Sequence, residues 1–220
     1  MRIFLYVSFL ALSFLAVSPI CAQVLEDERI QELATVRVIQ PNVGVQENVS
    51  VIQQVGGQNS ATIFQIPQDI QAGNFAQIMQ NGNLNTSVLR QFGYNLNTVS
   101  IQTGNNNQGT IRSVGENINI STTQRGNENS ITADVENLGI FTRTVLLEQS
   151  GNRNEINLDF LNGSTLGSSN ESVRISQRGN QQQLNLSLDN AAGPVEISQT
   201  PGIDGQGMQV NVVTSVFPQK

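Results

Sequence analysis

Histidine and tryptophan are absent from the 220 residues, and cysteine occurs once. Without histidine there is no Ser-His-Asp or Cys-His nucleophile system and no His-ligated zinc site, and one cysteine cannot complete a thiolate site. Charged residues are scarce too, at 13% against about 25% in an average domain. Those present sum to −6, the wrong sign for nucleic-acid binding, which rests on Lys and Arg neutralising phosphates. Low net charge with many β-branched residues also argues against simple disorder. The expectation is a chain with no catalytic group, no cofactor, no metal and no nucleic-acid partner.

Amide takes the place of charge. The chain holds 26 Asn, 25 Gln and 19 Gly, a composition that favours β stacking. Residues 1–22 stand apart: Arg2 precedes a nearly all-apolar run from Ile3 to Val17, and Ile20 and Ala22 sit at −3 and −1 of a cleavage site after Ala22. This reads as a signal peptide, too short for a membrane span. A lipoprotein reading around Cys21 is weaker, because Ser18-Pro19-Ile20 lacks the small residue expected just before a lipidated cysteine. Cleavage would remove Cys21 and Arg2, leaving a disulfide-free chain of charge −7, from 10 basic and 17 acidic residues.

A hexad, Gln-x-Gly-x-x-Asn, recurs as QVGGQN (54–59), QNGNLN (80–85), QTGNNN (102–107), QRGNEN (124–129) and QSGNRN (149–154). QRGNQQ (177–182) puts Gln182 in the Asn place, and the copy from Gln199 is degraded to QTPGIDG. Residues on both sides alternate with period 2: Ala61, Ile63, Gln65; Ser87, Leu89, Gln91; Ile131, Ala133, Val135; Ile118, Ile120, Thr122. Such alternation marks half-buried strands. Segment 96–102 resists, because parity with Gln102 points Leu96, Thr98 and Ser100 inward and Val99 and Ile101 outward. A one-residue slip or a bulge is expected there.

The reading is an all-β, flattened two-sheet β-solenoid of about seven strand-turn-strand repeats, rising roughly 30–35 Å at about 4.8 Å per strand. Gly56, Gly82, Gly104, Gly126, Gly151 and Gly179 permit positive φ in the first turn, and the Asn or Gly after each also tolerates left-handed geometry. The second turn varies, with long versions at 66–73 and 161–170. Inward amides need partners, and stacking supplies them as ladders. The expected ladder residues are Gln54, Asn59, Gln65, Gln80, Asn85, Gln91, Gln102, Asn107, Gln124, Asn129, Gln149, Asn154, Gln177, Gln182 and Gln199. The terminal strands 48–54 and 208–216 carry no proline or charge, so both ends are expected to pair with further chains. The opposing expectation is that acidic residues 23–47 fold over the first coil.

The pattern is fullest in QVGGQNSATIFQ (54–65). It resembles the curlin repeat of curli, bacterial extracellular amyloid fibres, over about residues 48–214. The resemblance implies secretion through an outer-membrane pore, a homopolymer at the cell surface with a nucleator or major-subunit partner, and a role in biofilm matrix and adhesion. It also implies that residues 23–47 act as a secretion-targeting tail, with 215–220 a C-terminal tail. Uneven repeats depart from a regular major subunit, so a minor nucleator is the alternative, as is a monomeric β-solenoid binding protein. An enzyme is not expected, because the acids (Glu128, Glu148, Glu155, Asp159, Glu171) are scattered.

Overall fold

The computed structural model describes residues 35–39, 48–66, 73–139, 141–160, 171–188, 194–201 and 207–213. The expected leader, the second-turn residues 67–72 and 161–170, the tail 215–220 and most of 23–47 lie outside the described residues. Among those described, every regular element is a strand.

Seven strands form one face: β2 (Val49–Val55), β4 (Phe75–Asn81), β6 (Leu96–Thr103), β9 (Ile118–Arg125), β12 (Arg143–Ser150), β14 (Glu171–Arg178) and β16 (Val195–Gln199). They pair in chain order and in parallel. The opposite face holds β1 (Thr35–Ile39), β3 (Ser60–Gln65), β5 (Thr86–Gln91), β7 (Gln108–Ile111) and β10 (Ser130–Ile131) in one sheet. Beside it lie β8 (Ser113–Val114), β11 (Ala133–Glu136) and β13 (Leu158–Asp159), with β15 (Gln183–Leu184) paired to β17 (Gln209–Val210). The chain is a parallel β-solenoid of about five turns over which both faces are continuous.

Alternation puts one side chain in two inward. Ile63, Ile78, Leu89, Ile118, Leu147, Ile156 and Ile175 are all 0% exposed. At roughly 2 kcal/mol for each fully buried aliphatic side chain, this core carries most of the stabilisation. Burial continues through Ile131, Ala133 and Val135 as expected, but over two short strands, β10 and β11, rather than one. The backbone leaves β geometry on this face, with Val114 at φ 119° and Asp134 at φ 127°. Residues 113–114, 133–136 and 158–160 all share this positive φ, and there the second face breaks into short pieces.

Segment 96–102 carries neither slip nor bulge. β6 pairs with β4 and β9 one to one, Gln80↔Gln102↔Gln124. Its inward polar residues are matched from the opposite sheet: Ser87 Oγ donates to Ser100 Oγ (3.1 Å) and Gln91 Nε2 to Thr98 Oγ1 (2.8 Å). Polar partners facing each other across the core offset the cost that would have driven a slip.

Buried polar side chains among the described residues are Asn, Gln, Ser and Thr, with Arg143 the one charged group. Asn, Gln, Ser and Thr carry no group that ionises near neutrality, and the chain has no histidine. The urea midpoint is therefore expected to stay flat between roughly pH 6 and 8. A change there equivalent to more than about 1 kcal/mol would place a titrating carboxylate in the fold's interior.

Candidate functional site

The tight turn builds the site. Its glycine carries positive φ at all six sites, from 103° at Gly179 to 129° at Gly82. A Cβ on Gly104 would run into the carbonyl of Gly126 one coil on, so the turns nest backbone to backbone. The second left-handed residue is the fifth of the hexad: Gln58, Leu84, Asn106, Glu128, Arg153 and Gln181 have φ near 57°. The fourth residue, expected to take that geometry, does not.

Three amide columns follow from this nesting. In the first, Gln54 Nε2 donates to Gln80 Oε1 (2.5 Å), Gln80 to Gln102 (2.7 Å), Gln102 to Gln124 (2.8 Å) and Gln124 to Gln149 (3.0 Å). Gln149 then donates to Gln177 (2.9 Å) and Gln177 to Gln199 (2.7 Å). The second Nε2 proton goes to a backbone carbonyl on the opposite face, as from Gln124 to Gln108 O at 2.9 Å.

The second column runs the other way. Asn85 Nδ2 donates back to Asn59 Oδ1 (3.2 Å), Asn107 to Asn85 (3.0 Å), Asn129 to Asn107 (3.0 Å) and Asn154 to Asn129 (3.0 Å). Each Oδ1 also accepts the next backbone N–H, and each Nδ2 reaches the next turn's glycine carbonyl, as Asn107 does to Gly126 O at 2.8 Å. Gln182 continues this column through its backbone: its N–H bonds Asn154 Oδ1 at 3.0 Å.

A third column was hidden in the turn. Asn83, Asn105, Asn127, Asn152 and Asn180, at the hexad's fourth place, are exposed. Nδ2 of each of the first four donates to the next Oδ1 at 3.1–3.2 Å. Gly57 joins with its backbone N–H to Asn83 Oδ1. The repeated Asn was the available signal, and turn geometry claimed it. Gln65 and Gln91, expected among the ladder residues, form two rungs only (2.7 Å). Ser113 occupies the next place, its buried Oγ without a partner among the described residues.

The ends differ. At the N-terminal end, Oε1 of half-buried Gln54 is shielded from water and has no partner among the described residues. Beside it β1 pairs with β3, Thr35↔Ser60 through Ile39↔Phe64, so the second face extends one strand past β2. At the C-terminal end Gln199 Nε2 donates to Met208 O at 3.0 Å, and Met208 N donates to Gln182 Oε1 at 2.8 Å. Pro201 replaces the turn glycine and packs over Gly179.

On the outer surface, Arg153 Nε donates to Glu128 Oε2 (2.7 Å), which raises the guanidinium's pKa through the hydrogen bond and charge. Arg112 pairs with Asp134 at 3.1 Å. Among the described residues no three metal-ligating side chains cluster, and no helix is long and apolar enough to cross a membrane. Comparison with protein families, with curated proteins and with solved structures returned no match to this chain.

Proposed function

We propose that this chain is an exported structural subunit that stacks end to end into an extracellular, curli-like amyloid fibre of the bacterial surface. The fibre would serve biofilm matrix and adhesion. It reaches the outside through an outer-membrane pore, and its working unit is seven in-register rungs. The observation that carries the reading is the Gln column, which crosses seven strands and ends on Gln54 Oε1, buried and without a partner among the described residues. A column of identical amides gains a bond at each added rung, and a buried acceptor left over costs about 1–3 kcal/mol. The function asked of the chain is therefore mechanical and self-complementary, with no cofactor. Pro201 in the glycine place favours, as second reading, a minor subunit at fibre ends over the bulk subunit.

The experiment is assembly of the mature chain at neutral pH. Thioflavin-T-positive fibres with a meridional reflection near about 4.8 Å are expected. A stable monomer that never gives this reflection, with or without seeds, rejects the fibre reading.

A further inference from the structure

The two ends fit each other once a single segment is moved, an inference that rests on the stacking reading above. At the N-terminal end β1 already holds the slot beside β3. Among the described residues the next unpaired edge is that of β2, where Gln54 Oε1 lacks a donor and Ile52 is only half-buried. A stacking copy must deliver a strand of the seven-stranded face there, with nothing following it on the opposite face, because β1 is in the way.

The last such strand of a copy is β16, and its register fits. Gln199 continues the column of Gln177, and Ile197 the rung of Ile175; these would meet Gln54 and Ile52. What blocks the fit is residues 207–213. They lie on β15 through Gln183 N to Met208 O (2.8 Å), Asn185 N to Val210 O (3.1 Å) and Ser187 N to Val212 O (3.1 Å). Met208 also plugs both amide columns, accepting from Gln199 and donating to Gln182. Val210 and Val212 pack against the core, but the strand β17 is only two residues long and Val213 is 74% exposed, so the segment is held along one edge and frays at its end.

We propose that residues 207–213 are a latch, and that lifting them lets β15 and β16 of one copy dock on β1 and β2 of a second copy. Gln199 Nε2 then donates to Gln54 Oε1 of the second copy, and Ile197 covers Ile52. Strand order stays alternating across the junction, β15, β16, β1, β2. The partner is a second copy because the two ends supply the missing donor and acceptor at the same rung.

The test compares three chains by sedimentation velocity and Thioflavin-T kinetics: the mature chain, the chain lacking 202–220, and that truncation with Gln54→Leu. Removing the latch is expected to strengthen self-association roughly tenfold, and Gln54→Leu to reverse the gain. Association unchanged or weakened by a truncation that keeps its β circular dichroism overturns the latch. Should the truncation lose that signal, Met208→Pro decides: it deletes the N–H given to Gln182, and tighter association supports the latch while equal or weaker association overturns it. Head-to-tail oligomers without a cross-β reflection would keep the latch and reject the fibre. Fibres whose kinetics ignore both changes would do the reverse.

Discussion

Gln124→Ala is expected to destabilise the fold by about 3–5 kcal/mol. The amide makes one bond in each direction along its column and one across the core. Its loss orphans the Gln102 donor, the Gln149 acceptor and the Gln108 carbonyl, each worth about 1–3 kcal/mol when buried, and leaves a small cavity. Arg125→Ala, one residue on and exposed, should stay within about 0.5 kcal/mol. Urea midpoints at unchanged m-value compare the two. Equal effects would mean the column is not what holds the coils in register.

Gly104→Ala is expected to cost about 3 kcal/mol or more, and to slow any assembly in proportion. Two penalties coincide there: a φ of 115° that alanine disfavours, and a Cβ driven against the carbonyl of Gly126. That carbonyl accepts from Asn107, so the damage spreads to the second column. Gly109 is the internal control. Its φ is ordinary and a Cβ would find its nearest atoms at 3.5 Å, normal contact, so Gly109→Ala should be neutral to within about 1 kcal/mol. Thermal unfolding of the two single variants measures both. Comparable losses would show that the turns do not nest as described.

Period-2 alternation and a fixed hexad are local signals with one physical cause each, inward packing and turn closure, so the lead Gln and Asn were readable from the chain. The column of Asn83, Asn105, Asn127, Asn152 and Asn180 was not, although it sits in the same hexad. Asn in a turn has a ready conformational explanation, and only stacking reveals that its side chain bonds forward while the fifth residue takes the left-handed φ. Segment 96–102 misled because parity counts apolar residues and ignores what faces them. Ser100 is inward because Ser87 meets it. Strand β1 carries no hexad, and its place beside β3 depends on a partner 25 residues away. The closed C-terminal end rests on Met208, whose backbone, not its side chain, makes the contact.

Among the described residues no strand pairs with its neighbour in sequence; each partner on the seven-stranded face lies 22 to 28 residues off. The described coils therefore have no hairpin from which folding could start. The first event must close a full coil before any ladder bond forms, and that entropy is spent with nothing yet to offset it. Later coils meet a finished template. The difference in closure cost between 22 and 28 residues is only about 0.2 kcal/mol, so insertions at the second turn scarcely change the rate of each step. Refolding should thus show a slow start set by one pair of coils, then a uniform zipper along the chain, indifferent to the lengths of its outer loops.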